Sequence, residues 1–592
     1  MKFFFKVILA CGVLLTGIKA DGQVRITSEE ELELLRETSM EAVYMHTNGP
    51  LFFPGEYMYY SLYCIDLNNY RLSNLSKVAY VQLIDESGLV AFTQKVGLDR
   101  GKGQGDYFFP TDLPSGNYKL VGFTHWMKNA GPEQYFMADI TFINPYRADQ
   151  NVFLNPETSS SCAGTPDSVG EQNTIDQAGE VLTFELQKNL YELGEEVVLQ
   201  LKNYKGALGR GTYSLSVRKS DELPHAGLTS AEAYAERYDS LQKGVTLGVN
   251  DILSIPEQRG DLVSGRVFDQ SDNTPVSDQT LAISLPGDDF RVKKALTDQE
   301  GKFYTYITRP YSGEFGVAEV LPPRDATVSI SWFSPEKWEV DIPCFYSFSL
   351  DSTMAESIRK RSVHNQIENS FFEAKPDSIL SPELGDPFKG DVPLVFELDS
   401  YTRFPTLRET LVEVVNHVGV RRNDSGGYMM WVNPTTERPG SEYMGDPPLV
   451  LIDGILIPEP ESIMDYDARK IARIKVLREP YQLGGVSYQG MVVIETVDRI
   501  YASEWESDFG SRFNYLSPQP SKRYFRQGQP SSHVPDFRYQ LLWEPLIELG
   551  ETGQTFTFFT SQVPGNYEIR LEGYTSYGKP VSLSVGFVVS SE

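Results

Sequence analysis

The sequence predicts a multidomain, mainly β protein in which several β-sandwiches accompany one small α/β domain. Three observations predict this. The chain has 592 residues, room for about four domains of ~150 residues each. It carries 48 Gly and 36 Pro beside 33 Phe and 33 Tyr, a mixture that favours aromatic strands and tight turns over long helices. Its apolar residues alternate in short runs broken by turn residues, except near residue 410, where they fall at helical spacing.

The first 20 residues read as a secretory signal. Lys2 and Lys6 flank the start, Val7 to Ile18 form the apolar core, and Ile18-Lys19-Ala20 ends in a small residue, so cleavage is expected after Ala20. Ile8-Leu9-Ala10 before Cys11 bears a faint likeness to a lipoprotein box, but ten preceding residues are short for such a signal. No later run reaches the roughly eighteen apolar residues of a membrane span, so the exported chain is expected to lack one. Removal of the signal leaves Cys64, Cys162 and Cys344, too widely spaced for a disulfide framework or a metal motif. Cys64 and Cys344 lie in strand-like runs and are expected as buried thiols.

Residues 28–40 are acidic with Leu32, Leu34 and Leu35, and read as a short helix. A first sandwich is expected over 38–146. Its opening, Val43 to Asp66, places the Pro54-Gly55-Glu56 turn between two aromatic strands. This opening resembles the macroglobulin-type β-sandwich. A linker rich in Ser, Asp, Gly, Pro and Thr follows over 147–179. A second sandwich is expected over 180–258: Gly194-Glu195 lines up with Gly55-Glu56, and Tyr191 with Phe52. Residues 259–350 form a third β unit. Its Gly265-Arg266-Val267 strand start, Pro275-Val276 and the turn Thr297 to Phe303 resemble a carboxypeptidase regulatory-like domain. Asp298 and Gly301 suit a structural turn, not a calcium loop, because alternating oxygen ligands and a distal Glu are absent.

A polar helix and a linker are expected over 351–392, then a small α/β domain over 393–502. Leu407, Leu411, Val414 and Val415 give it a helix, and two strands follow around Gly426. "LVLIDG" (Leu449 to Gly454), a polar helical stretch, "IARIKVLREP" (Ile471 to Pro480) and "YQGMVVIETV" (Tyr488 to Val497) complete it. These pieces resemble the plug domain of TonB-dependent outer-membrane transporters. About 95 residues follow Val497, too few for a barrel of about twenty-two strands. The expectation is a plug without a barrel, and no TonB box is recognisable. A linker is expected over 503–522 and a further sandwich over 523–592, where Pro564-Gly565-Asn566-Tyr567 echoes Pro114-Ser115-Gly116-Asn117-Tyr118.

A formal charge of −28 disfavours nucleic acid and anionic lipid, both of which need a basic footprint. The six histidines, His46, His125, His225, His364, His417 and His533, show no metal-ligand spacing, and no hydrolase elbow, Walker loop or dinucleotide fingerprint occurs. The reading is therefore a non-enzyme with no catalytic, cofactor or metal residues. Arg478, Tyr481 and Tyr488 around the Glu479 to Gly490 loop are the candidate partner contacts, because Arg and exposed aromatics favour interfaces. Asp167-Ser168-Val169, Asp351-Ser352-Thr353 and Asp377-Ser378-Ile379 match a short O-glycosylation acceptor pattern in expected linkers.

Taken together, the order of domains resembles exported proteins of Bacteroidetes-type bacteria labelled as plug-domain or TonB-receptor-like. The resemblance implies an envelope binding or scaffold protein, without cofactors, docking through the plug-like domain on an outer-membrane or periplasmic protein. A separate β-barrel is one such partner. Two other readings stand beside it. One is a macroglobulin-like protease inhibitor, although no GCGEQ-type thioester segment is present. The other is an enzyme with a dispersed active site.

Overall fold

The Pro54-Gly55-Glu56 turn shows how the first sandwich starts. Gly55 sits at φ +85°, a backbone that side chains with a Cβ rarely adopt. The Glu56 carboxylate accepts the Phe53 N–H at 3.2 Å and closes the turn. The computed structural model describes residues 23–26, 28–154, 179, 181–324, 327–332, 345–380, 385–422, 427–435, 446–529 and 533–591. They fall into two compact units. The larger takes in the described residues between 26 and 260, 345 and 380, and 518 and 591; the smaller takes in 23–25 and those between 261 and 332 and between 385 and 517. Both are mainly β. The signal segment, Cys11, Cys162, Cys344 and Ser168 lie outside the described residues.

In the larger unit, Glu41–Thr47, Tyr57–Asp66 and Lys102–Phe108 form one antiparallel sheet. Leu51–Phe52, Phe136–Phe142, Gly116–Thr124, Val78–Asp85, Val90–Gly97 and Pro518–Gln519 form the other, in that order. Val43, Tyr60 and Leu62 of the first meet Val81, Leu83 and Leu120 of the second in one buried core. The helix expected over 28–40 is Glu29–Arg36, capped by Ser28.

A second sandwich repeats this plan. Its sheets are Leu182–Leu186, Glu196–Asn203 and Gln554–Phe559, and Leu190–Glu192, Pro580–Ser590, Gly565–Thr575, Gly211–Lys219 and Gln540–Leu549. The short strands Leu51–Phe52 and Leu190–Glu192 each run parallel to the last strand of their sandwich. Glu195 accepts the Glu192 N–H at 2.8 Å, as Glu56 accepts that of Phe53. Tyr118 and Tyr567 each donate their hydroxyl to the carbonyl four residues upstream, on Pro114 (2.8 Å) and Val563 (2.7 Å). This is the tyrosine-corner device of Greek-key sandwiches.

The two halves of this second sandwich come from opposite ends of the chain. The segment 523–592, expected as a sandwich of its own, instead supplies four strands to the sheets of 182–219. Alone, the strands of 182–219 would leave an apolar face uncovered. Leu199, Leu215 and Val217 are closed by Phe556, Leu571 and Leu583. The expected linker 503–522 is also built into sheets: Gly510–Asn514 pairs with Phe315–Val320, and Pro518–Gln519 with Val90–Gly97.

The smaller unit contains a sandwich of Asp261–Asp269, Lys302–Ile307 and Val328–Trp332 against Arg291–Leu296, Thr280–Leu285, Phe315–Val320 and Gly510–Asn514. At its Thr297 to Phe303 turn, Asp298 accepts the N–H groups of Glu300 and Lys302, and Gly301 takes φ +72°. A five-stranded sheet follows in the order Leu394–Glu397, Ile471–Leu477, Met491–Thr496, Leu449–Ile452, Ile455–Leu456. The helix Leu407–Glu413 covers one face through Leu407 and Leu411, beside Ile474 and Val492. The other face packs Leu451, Met491 and Val493 on Ala282 and Phe290. Between Ile455–Leu456 and Ile471 the polar stretch forms only the 3-10 turns Pro460–Ile463 and Ala468–Lys470, not the expected helix. Pro458 and Pro460 have no N–H to give a helical ladder.

Candidate binding surfaces

Arg478, Tyr481 and Tyr488 lie in or beside the hairpin Tyr481–Leu483 and Val486–Tyr488, where Tyr481 and Tyr488 are directly paired. All three are half-buried. Arg478 donates to the carbonyls of Asn433 (2.9 Å) and Pro434 (2.6 Å). Tyr481 donates to Pro387 O at 3.2 Å, and Lys389 sits 4.0 Å from its ring centre. The Tyr488 hydroxyl accepts from Lys294 at 2.8 Å. The structure thus brings the two tyrosines together and engages each of the three side chains within the smaller unit.

A neighbouring hairpin, Val418–Arg422 with Tyr428–Val432, has a different character. Met430 and Val432 point into the core with Leu407 and Leu411. Strand alternation then sends Met429 and Trp431 outward, and they are 41% and 37% exposed. Trp431 faces Gly419 across the pair, and a Cβ on Gly419 would run into the indole ring. The Arg421 guanidinium lies 5.6 Å from the Trp431 ring centre, whereas Arg422 pairs with Tyr428 on the opposite face of the hairpin. In the sequence these residues read only as two strands. The outward face becomes visible once the strand register is known.

The larger unit holds a cleft of about 160 Å³. Tyr57 and Tyr59 project from one face of Tyr57–Asp66, their rings 5.8 Å apart and nearly parallel. Tyr524 stands edge-on to Tyr59 at 4.8 Å, Trp543 stacks on it at 6.0 Å, and Phe372 lies 6.4 Å from Tyr57. Asn365, Glu368, Asn369, Lys375, Asp377 and Arg538 add polar atoms. Five separate segments build this lining, so no local motif announces it; the alternation of Tyr57 and Tyr59 is its one sequence trace.

Beside the cleft, the helix Ala355–Ser370 seats on the Pro54-Gly55-Glu56 turn. Arg361 grips Glu56 through Nε (2.7 Å) and Nη2 (2.8 Å), and also binds Asp221. Asn365 donates to Glu56 at 2.9 Å, and Asn369 to Gly55 O at 3.1 Å. Arg218 lies 3.9 Å from both Glu56 and Asp221. Burial opposes charge on Asp221, but Arg361 and Arg218 outweigh it and hold the carboxyl below its usual range.

His46 and His125 are structural. His46 Nδ1 and Ser214 Oγ share a hydrogen bond of 2.6 Å where the two sandwiches meet. Burial, aided by the charge of Arg570, pushes its pKa well down. Burial and then Lys128 bring His125 down to about 3. The Cys64 thiol is buried and free, and burial, then Glu41, raises its pKa. Among the described residues no group of three or more His, Cys, Asp or Glu is placed to hold a metal, and no helix is long and apolar enough to cross a membrane. Ser352 and Ser378 of the acceptor patterns are exposed, but Ser378 belongs to a strand paired with Lys522–Arg523.

No family model matches this chain, and no curated protein matches it. Solved structures similar to it include Escherichia coli alpha-2-macroglobulin activated by porcine elastase, at 10% identity over 93% of this chain and 44% of that one, TM-score 0.23. Salmonella alpha-2-macroglobulin reacted with methylamine gives 10% identity over 93% and 39%, TM-score 0.23. Dimeric latent PorU from Porphyromonas gingivalis gives 11% over 49% and 33%, TM-score 0.15. The chain spans less than half the length of these macroglobulins. TM-scores this low establish no relationship.

Proposed function

We propose that this chain is a non-enzymatic binding protein of the cell envelope that docks on an outer-membrane or periplasmic protein through its plug-like domain. The observation that carries the reading is the outward face of the Val418–Arg422 and Tyr428–Val432 hairpin. It offers Trp431 and Met429 beside Arg421. Trp, Met and Arg are the residue types most enriched in protein interfaces and their hot spots. The occupant that fits is a partner protein with an apolar recess bearing a carboxylate at its rim, which would receive the indole and pair with Arg421. The signal-like first 20 residues support an exported setting, and a separate β-barrel is the partner that the plug-like sequence points to.

The test is site-specific photocrosslinking from position 431 in intact cells. The reading expects one saturable adduct that fractionates with the envelope, is competed by excess unlabelled protein, and is lost in Met429→Ser. An adduct that is not competed, or no adduct at all, removes it.

A further inference from the structure

We propose that the aromatic cleft of the larger unit is a binding site for an organic cation, the ammonium or guanidinium group of a lysine or arginine side chain or of a free alkylammonium. This site is separate from the docking hairpin and does not rest on that reading.

Two features select a cation. The first is the wall. Tyr57, Tyr59, Tyr524, Phe372 and Trp543 line one small cavity, and Tyr57 and Phe372 stand within 13° of parallel. Aromatic faces attract a cation within about 6 Å of their centres, most strongly where water is scarce. The second feature is an imbalance among the charged groups of the lining. Each basic residue already has a carboxylate. Arg218 lies by Glu56 and Asp221, Lys375 binds Glu368 at 2.6 Å, and Arg538 binds Asp536 at 2.6 Å and 2.8 Å. Glu56 and Glu368, two of the three acidic lining residues, are spent in those pairs or on Arg361.

Asp377 is the third. It accepts the Phe525 N–H at 2.8 Å, and among the described residues no cation lies within ion-pair distance of it. Lys522, which acts on it through space, binds Asp106 at 2.9 Å instead. Burial raises the Asp377 pKa, and Asp106 adds to the rise. Asp377 lines the cavity and Asp106 accepts the Tyr524 hydroxyl at 3.2 Å, so both acids stand beside the aromatic wall. The cleft therefore joins π faces to a carboxylate with no partner of its own sign-opposite kind. A neutral ligand would use the wall and leave Asp377 uncompensated; an anion would be repelled by it. An organic cation satisfies both.

The experiment titrates the full chain with choline, Nα-acetyl-lysine methylamide, Nα-acetyl-arginine methylamide and the uncharged carbon isostere of choline, read by ligand-observed NMR at constant ionic strength. Asp377→Asn and Phe372→Ala are titrated in parallel. Phe372 is 49% exposed, so its truncation leaves the fold in place, which circular dichroism checks. The expected result is saturable binding of at least one cation. Asp377→Asn should weaken it about tenfold and Phe372→Ala about threefold, in line with one charge and one cation–π contact. Preference for the amino-acid amides identifies a side chain as the natural group; preference for choline identifies a free alkylammonium. Either supports the proposal. No saturation by any cation, equal binding of the uncharged isostere, or unchanged binding in both variants overturns it.

Discussion

Arg361 holds Glu56 by two hydrogen bonds of 2.7 Å and 2.8 Å, joining a helix to a turn some three hundred residues earlier in the chain. The pair is buried, and Arg361 also neutralises Asp221. Removing Arg361 leaves Glu56 and Asp221, two buried carboxylates, with only the more distant Arg218 to share between them. Arg361→Ala is expected to destabilise the larger unit by about 3–5 kcal/mol. A single two-state free energy is not defined for a chain of two units, so hydrogen exchange of peptides from 41–66 is the measurement. Asp221 is depressed in the folded state. Its contribution is present above its unfolded pKa of about 3.9 and is lost as pH falls through the lower folded value. The gap between wild type and variant should therefore narrow in acid.

Tyr118 and Tyr567 perform the same task in different sandwiches. Tyr118→Phe and Tyr567→Phe each delete one hydroxyl and leave the ring packed. Each is expected to cost about 1 kcal/mol. The double variant should cost the sum within about 0.5 kcal/mol, because the sites share no partner. Denaturant titrations of the two single variants and the double check this.

The larger unit should weaken on acidification. The folded pKa of His125 is about 3, below the unfolded value of about 6.5. The unfolded chain therefore binds its proton first as pH falls. Stability is full above about pH 6.5 and declines below it at about 1.4 kcal/mol per pH unit until the folded value is reached. His125→Gln should remove this slope. Between pH 6.5 and 4.5 it should lose about 2–3 kcal/mol less than wild type, measured by urea titration at each pH.

Gly419 tests whether the outward hairpin face matters apart from stability. Ala at this position overlaps the body of the Trp431 indole, at Cζ2 and the ring-fusion Cε2, so the part-exposed ring must swing out of its place. Gly419→Ala is expected to change stability by less than about 1 kcal/mol. It should nevertheless weaken partner binding about tenfold by displacing the indole from the interface. Thermal unfolding and a pull-down from envelope fractions, run together, separate the two effects.

Local chemistry made some of this fold readable. Pro54-Gly55-Glu56 announces a turn because Gly55 must take a left-handed backbone, and the echo at Gly194-Glu195 marks the same turn again. Alternation reveals strands but not their partners, so 523–592 read as a separate sandwich although its strands complete the sheets of 182–219. The helix Ala355–Ser370 shows a second limit. Its buried face is Arg361, Ser362, His364 and Asn365, so apolar periodicity gave no sign that it docks. The cleft was illegible for a third reason: Tyr57, Phe372, Asp377, Tyr524 and Trp543 meet only after the chain has folded back on itself. Arg478, Tyr481 and Tyr488 were legible as aromatic and basic residues, but their internal partners Asn433, Pro387 and Lys294 depend on tertiary contacts.

The most direct test of the docking account is photocrosslinking from position 431 in living cells, beside the same probe at Tyr577, an exposed site in the larger unit. A single envelope-protein adduct is expected from position 431, absent from position 577, competed by excess protein and abolished by Met429→Ser. Equal labelling from both positions, or an adduct indifferent to Met429→Ser, would contradict it.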